Sequence, residues 1–203
     1  MLRTKKTLLI IIWSILMQLN VNAQTKTGIE NYNFKSSNEA YLWMPIIHRT
    51  GKKGLHTEFR YNYEERKTAS VYIGKNFSRD SALSYSITPM LGWVFGKFNG
   101  GSVALNADAG YKKVFASVQT QYTVSKDEAA ENFFYTWAET GYQPVDWFYA
   151  GVSTQLTKVH KEKAVAEYGV LVGFNIKKIT VPVYVFSPFS KERNFIVGIN
   201  IEW

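Results

Sequence analysis

The chain has 203 residues, of which 24 are Lys or Arg and 16 are Asp or Glu, for a formal net charge of +8. It contains no cysteine, which excludes disulfides and cysteine-based metal or redox sites. Aromatic residues make up 16% of the chain, yet beyond the amino terminus no apolar run approaches the roughly 20 residues of a membrane helix. The charge is spread along the chain, which favours solvated loops, so we expect no nucleic-acid partner.

The amino terminus has the parts of a secretory signal peptide. A basic start precedes an apolar run over residues 8–17, and residues 21–23 form a small-residue cleavage site. We therefore assign residues 1–23 to a cleavable signal peptide and expect the mature protein to begin at Gln24.

Segments in which apolar and polar residues alternate follow one another along the rest of the chain, as in half-exposed β-strands. Residues 24–203 are expected to form one domain, in which residues 24–38 are an ordered tail or a first short strand. The other segments are separated by turns rich in Gly, Pro or charge. They cover residues 40–49, 55–64, 69–77, 83–95, 103–111, 114–124, 133–142, 148–157, 166–175, 179–185 and 193–203.

The count of these segments is odd, whereas single-chain bacterial barrels have an even number of strands and both termini in the periplasm. Alternating directions therefore require one more strand before residue 40, and residues 28–35 are the candidate. We predict twelve strands. Ten strands is the alternative, in which an end segment lies outside the wall.

The last strand has the clearest membrane pattern, because apolar residues alternate with polar or small ones up to the final aromatic. The apolar set is Phe195, Val197, Ile199, Ile201 and Trp203. One face of such a strand suits lipid and the other suits a wet lumen. The ending resembles the carboxyl-terminal signature of Gram-negative outer-membrane barrels. The resemblance implies that these residues are the signal that the barrel-assembly machinery recognises.

We therefore predict an all-β protein, a transmembrane up-and-down antiparallel β-barrel in the outer membrane of a Gram-negative bacterium. The expected partners are outer-membrane lipids, the barrel-assembly machinery during insertion and small hydrophilic solutes, and we expect a monomer. The layout of the whole mature chain resembles the small twelve-strand outer-membrane channels for acidic oligosaccharides. Those channels carry many lumenal arginines, whereas Arg60 is the one clear case here.

Polar and charged residues on the inward faces are the candidate functional residues. One predicted strand carries His56, Glu58, Arg60, Asn62 and Glu64 at every second position. The lumenal candidates on other strands are Asp108, Lys112, Glu167 and Glu202. Opposite charges pair when buried, because isolated ones are costly to desolvate. The set is interpreted as a salt-bridge network that fills the lumen, with a selectivity lining as the functional alternative.

No residue pattern indicates catalysis or a cofactor. A hydrolase needs a base beside its nucleophile, and of the three histidines only His56 is placed inward. The histidines lack the close spacing of metal ligands, and no Gly-rich phosphate loop precedes a helix. We expect no enzyme, cofactor or metal, but a narrow channel for small hydrophilic solutes. The alternatives are a structural or interaction barrel without transport and, third, a lipid-active enzyme. The lumen face of residues 133–142, aromatic on both sides, stays unassigned.

The signal peptide makes the first testable prediction. The mature protein should begin at Gln24 and fractionate with the outer membrane, because the signal is cleaved after a small residue during export. Amino-terminal sequencing of the membrane fraction checks this. An intact Met1 in a soluble fraction would contradict it.

Overall fold

The computed structural model describes residues 25–36, 40–191 and 193–203. The predicted signal peptide and Gln24 lie outside the described residues. The strands are β1 (Lys26–Ser36), β2 (Leu42–Thr50), β3 (Leu55–Tyr61), β4 (Thr68–Lys75), β5 (Phe77–Arg79), β6 (Leu83–Gly96), β7 (Gly100–Tyr111), β8 (Val114–Ser125), β9 (Phe133–Val145), β10 (Phe148–Val159), β11 (Val165–Ile176), β12 (Ile179–Phe186) and β13 (Asn194–Glu202).

A short 3-10 helix at Ala129–Glu131 is the one helical element of the described ranges. No helix in this part of the chain is long and apolar enough to cross a membrane.

The sheet closes on itself because β1 pairs with both β2 and β13. Every pairing is antiparallel, and strands that follow one another in the chain lie side by side. β4 and β5 both pair with β6 and share one position in the wall. The result is a closed up-and-down barrel of twelve wall positions. The prediction of twelve strands, with residues 28–35 in the first, is confirmed, and the ten-strand alternative is wrong.

The direction of the strands alternates, so both termini lie at one end of the barrel, called here the terminal end. The opposite end, called the loop end, carries the longer connections. The connections at the terminal end are 51–54, 80–82, 112–113, 146–147 and 177–178. Those at the loop end include 62–67, 97–99, 126–132 and 160–164.

The predicted strand over residues 69–77 is interrupted at Asn76. Pro89 on the neighbouring β6 has no N–H to donate, and the ladder to β6 stops on one side of Pro89 and restarts on the other. The side-chain Nδ2 of Asn76 instead donates to Ser86 Oγ and Thr88 Oγ1, each at 2.8 Å. A side chain thus replaces part of the missing ladder.

β3 ends at Tyr61, although the sequence pattern predicted a strand up to Glu64. Asn62 and Lys67 both have a φ of 59°, in the left-handed region that Asn adopts more readily than most residues. The Lys67 N–H donates to Asn62 Oδ1 at 2.7 Å. The two residues therefore close the base of a loop, 62–67, and the alternation of the strand stops there.

The outward side chains form an apolar band around the barrel, while most inward ones are buried or half-buried. In β13 the inward Ile196 is 1% exposed and the outward Ile199 is 45% exposed. Exposed apolar residues of the band include Ile29, Ile47, Phe59, Val71, Leu91, Val103, Tyr122, Phe134, Val152, Val170 and Ile179, together with Phe195, Val197, Ile201 and Trp203.

Exposed aromatic residues occur at two levels of this outer face. One group lies at the terminal end and comprises Tyr111, Trp147 and Trp203. The other lies toward the loop end and comprises Trp93, Tyr122 and Tyr168. Two aromatic levels around an apolar band are typical of barrels that span a membrane.

The apolar band makes the second prediction. Ile199→Asp should make folding into lipid vesicles less favourable by about 1–2 kcal/mol, because it places a carboxylate on the lipid-facing side. Ile199→Leu is the matched control, since it keeps an apolar side chain on the same face. Heat-modifiability on gels measures the folded fraction. Equal folded yields for the two variants would contradict the assignment of faces.

Candidate functional site

Three residues of β3 form a connected row inside the barrel. His56, Glu58 and Arg60 point inward with exposed fractions of 6%, 6% and 1%, and Phe59 between them is 37% exposed. Thr50 Oγ1 lies 2.8 Å from His56 Nδ1, and His56 Nε2 lies 3.1 Å from Glu58 Oε2. The Arg60 Nε–H donates to Glu58 Oε1. The row therefore runs along the height of the wall.

The guanidinium of Arg60 is enclosed on every side. Its Cζ lies 4.4 Å from the Tyr63 ring centroid and 4.3 Å from the Tyr72 ring centroid. Arg60 Nη1 donates to Gln121 Oε1 at 2.7 Å and lies 3.9 Å from Glu64 Oε1. Cation–π and charge-assisted contacts compensate the cost of burying this charge. Arg60 is therefore neutralised inside the barrel and does not face water.

Room for the Tyr72 ring comes from Gly92 on β6. A Cβ atom at that position would lie 2.3 Å from Tyr72 Cε1, closer than two carbon atoms can approach. The missing side chain at Gly92 thus lets Tyr72 lie against the wall beneath the guanidinium.

Two side chains enter the barrel from the loop 62–67. The Tyr63 hydroxyl donates to Gln119 Oε1 at 3.0 Å, which joins the loop to β8. Glu64 accepts hydrogen bonds from Ser70 Oγ at 2.8 Å and Tyr72 OH at 2.9 Å. We call Arg60, Tyr63, Glu64, Gln119 and Gln121 the polar constriction, because their contacts cross the bore from β3 to β8.

The sequence pattern placed Tyr63 on the outer face and Asn62 in the lumen, and both assignments are wrong. The left-handed turn at Asn62 ends the period of two, so the next side chain folds back into the barrel. Asn62 itself stays at the rim, where its Nδ2 donates to the Trp43 carbonyl at 2.8 Å. Glu64 lies inside, as predicted, but it arrives from the loop.

An aromatic cluster crosses the bore beside the polar constriction. Trp137 of β9 is 4% exposed, and its ring centroid lies 5.4 Å from Tyr32 on β1 and 5.1 Å from Tyr184 on β12. Its Nε1–H donates to Ser153 Oγ at 2.8 Å. β1 lies far around the ring from β9, so Trp137 reaches across the interior. The lumen side of residues 133–142 is therefore the odd-numbered side.

A cavity of about 280 Å³ lies on the terminal side of these two layers. Four carboxylates line it, from Glu30, Asp108, Glu139 and Glu202. Lys178, which is exposed, also lines it. We call this space the vestibule. It is the part of the interior nearest the terminal end.

The lumenal candidates outside β3 do not pair with the β3 row. Asp108 and Glu202 line the vestibule, and Glu202 lies 3.2 Å from Lys26. Lys112 is exposed in the turn after β7, with Nζ 5.4 Å from the Tyr111 ring centroid. These residues sit at the terminal end, whereas Arg60 sits at the loop end. Distance along the barrel axis therefore prevents the pairing that the sequence pattern had proposed.

Glu167 is half-buried on β11. It accepts a hydrogen bond from Asn194 Nδ2 at 2.9 Å. This contact joins β11 to the start of β13 near the loop end, so Glu167 also lies apart from the β3 row.

Glu30 and Glu139 are interior residues that sequence reasoning missed. Glu30 lies in the segment first regarded as a tail or short strand, and Glu139 lies where both faces are aromatic. The sequence contained a signal for Glu30: in a strand over residues 28–35 with the apolar Ile29 on the outer face, the next residue faces inward. No comparable signal marked Glu139, because Trp137 and Phe134 give both faces an apolar character.

A larger concavity, of about 830 Å³, lies on the outer face. Small side chains leave space there between the exposed ring of Tyr168 and Tyr85. The small residues are Ala107, Ala109, Ala116 and Ala138. Within the described ranges no group of three or more His, Asp or Glu side chains could hold a metal ion.

The buried charge of Arg60 makes the third prediction. Arg60→Met should lower the free energy of unfolding by roughly 3–5 kcal/mol, because it leaves buried carboxylates without their cation. Adding Glu64→Gln should recover part of the loss, and Arg79→Met at an exposed position should have little effect. Urea unfolding in lipid vesicles measures all three. Wild-type stability for Arg60→Met would contradict the structural role.

No protein-family model matches the chain, and no curated protein sequence matches it. Similar solved structures exist. The NanC porin aligns with a TM-score of 0.63 at 10% identity, covering 86% of this chain and 98% of that one. The KdgM porin aligns with a TM-score of 0.61 at 11% identity over the same shares. A KdgM porin in complex with disordered oligogalacturonate has a TM-score of 0.60 at 12% identity. The chain therefore has the fold of the small twelve-strand porins.

Proposed function

We propose that the chain is an outer-membrane β-barrel with a narrow channel for small hydrophilic solutes. The exposed apolar band and its two aromatic levels suit a surrounding bilayer. Both termini lie at one end, and we propose that this end faces the periplasm, as in single-chain bacterial barrels. The vestibule then opens toward the periplasm and the loop end toward the outside.

The polar constriction is the main support for the channel proposal, because a loop provides part of it. Tyr63 and Glu64 close the bore from a loop, and hydrogen bonds to Gln119, Ser70 and Tyr72 hold them. Movement of that loop breaks side-chain contacts and leaves the ladder of the wall intact. We propose that this movement widens the bore beside β8, where the contact of Arg60 with Gln121 remains.

The solute proposed here differs from that of the structurally similar porin. An acidic sugar needs cationic groups that face the bore. Arg60 is buried in the polar constriction and paired with Glu58 and Glu64, while the vestibule is lined by carboxylates. We therefore propose neutral or cationic solutes for this chain and not oligogalacturonate.

A structural barrel without transport is the second candidate, and the aromatic cluster favours it. Trp137 packs against side chains from two distant strands, and such packing fills a bore as a protein core does. On this alternative the interior serves stability alone.

A lipid-active enzyme is less well supported. Thr50, His56 and Glu58 form a row of hydroxyl, imidazole and carboxylate, the groups of a hydrolase triad. Thr50 Oγ1 lies 2.8 Å from His56 Nδ1, and His56 Nε2 lies 3.1 Å from Glu58 Oε2. Thr50 is 8% exposed, and neither it nor His56 lines either of the two cavities described above. A nucleophile needs space for its substrate. We therefore propose a structural role for this row.

Conductance tests the proposal. In a planar bilayer the wild-type barrel should show small ion currents, and Tyr63→Ala should raise them severalfold, because it removes the side chain that spans from the loop to β8. Tyr61→Ala, a tyrosine on the outer side of the same hairpin, is the matched control and should conduct as the wild type does.

The two candidates give different outcomes in this experiment. Wild-type current that Tyr63→Ala increases supports the channel. Absence of current from correctly folded wild type and from Tyr63→Ala contradicts it and supports the structural barrel.

A further inference from the structure

We infer that the vestibule is a binding site for a small organic cation, such as an amine or an amidine. The inference deepens the proposed function and rests on it, because it names the solute class that the terminal end of the bore would accept. Its basis is the combination of carboxylates, aromatic rings and an unsatisfied acceptor around one cavity of about 280 Å³.

The charges around the vestibule are unequal. Glu30, Asp108, Glu139 and Glu202 provide four carboxylates, against Lys178 in the lining and Lys26 beside Glu202. Four acids less two lysines leave an excess of two negative charges when His48 is neutral. His48 also lines the vestibule and lies 3.5 Å from Glu30, so its protonation would reduce the excess to one.

Two of these carboxylates have no basic partner in the described ranges. No Lys, Arg or His nitrogen of these ranges is paired with Asp108 or Glu139 within 4.0 Å. Glu139 is half-buried beside the Tyr184 hydroxyl. A partly desolvated carboxylate gains most from an opposite charge at contact distance. A cationic ligand would supply that charge.

The aromatic lining suits an organic cation better than a bare metal ion. The rings of Tyr32, Tyr149 and Tyr184 border the cavity, and Gly173 makes room for one of them, since a Cβ there would lie 1.9 Å from Tyr149 Cζ. Ring faces attract cations through their quadrupole. Rings beside carboxylates therefore match a flat or alkyl group that ends in a positive charge.

An independent observation also indicates a hydrogen-bond donor as ligand. Asn200 Oδ1 is a buried acceptor with no hydrogen-bond partner in the described chain, and Asn200 lines the vestibule. Its Nδ2 donates to Tyr32 OH at 3.3 Å, and Tyr32 in turn donates to Glu30 Oε2 at 2.8 Å. The unpaired Oδ1 of a lining residue is thus an acceptor that a hydrogen-bond donor on a ligand would satisfy.

The test uses three probes of nearly equal shape and different charge. Benzamidine is a cation, benzamide is neutral and benzoate is an anion. Isothermal titration of the refolded wild-type barrel in detergent should show benzamidine binding at least about tenfold tighter than benzamide, because only the former gains charge-assisted hydrogen bonds. Benzoate should not bind measurably. This comparison requires no variant and so does not depend on a variant's folding.

Variants then locate the site. Glu139→Gln and Glu30→Gln should each weaken benzamidine binding at least about fivefold, since each removes one of the charges that the ligand meets. Glu65→Gln, at the loop end, should leave binding within about twofold. Heat-modifiability verifies that each variant is folded. Equal affinity for benzamidine and benzamide, or unchanged affinity in both vestibule variants, overturns the inference.

Conductance of the same preparation separates this inference from the proposed function. A conducting barrel that does not prefer benzamidine overturns the cation site and leaves the channel. A barrel that binds benzamidine with the expected charge preference but carries no current supports the site and overturns the channel.

Discussion

Closure of the hydrogen-bonded ring is the constraint on which the rest of the structure depends. A strand at an open edge exposes unpaired N–H and C=O groups, which neither lipid nor a packed interior satisfies. The pairing of β1 with β13 removes both edges, and the ladder break at Pro89 is partly compensated by the Asn76 side chain. Once the ring is closed, the two-residue period of each strand decides which side chains face outward and which enter the bore.

The closed ring creates an interior that side chains must fill. A polar cluster around Arg60 and an aromatic cluster around Trp137 fill it. Around Arg60 the filling is polar, so each charge needs a partner, and the loop supplies Glu64 and Tyr63. Around Trp137 the filling is apolar and needs only shape. The polar part depends on exact partners, whereas the apolar part tolerates exchange of similar rings. Changes at Arg60 are therefore expected to affect stability more sharply than conservative changes at Trp137.

The alternation in the sequence predicted the wall closely and the interior only in part. The inward positions of His56, Glu58 and Arg60 follow from the period of two, which ordinary strand geometry enforces. The position of Tyr63 does not, because a left-handed residue before it resets the direction of the chain. The contact of Trp137 with the Tyr32 side chain crosses the bore. Such contacts depend on the size and register of the closed barrel, which no local sequence pattern contains. Glu139 stayed hidden for the same reason, since its environment is made by strands distant in sequence.

Charge along the axis is the reason why we propose a different solute for this chain despite the shared fold. The buried Arg60 lies toward the loop end, and its charge is paired with those of Glu58 and Glu64. The terminal end keeps carboxylates at Asp108 and Glu139 that no Lys, Arg or His nitrogen of the described residues contacts within 4.0 Å. In our proposal, a solute that enters there meets negative potential before it meets the polar constriction, since fixed charge at a narrow mouth selects the ion that enters. The fold sets the width of the bore. In our proposal, the few side chains that face the water in the bore determine the charge of the solutes that it accepts.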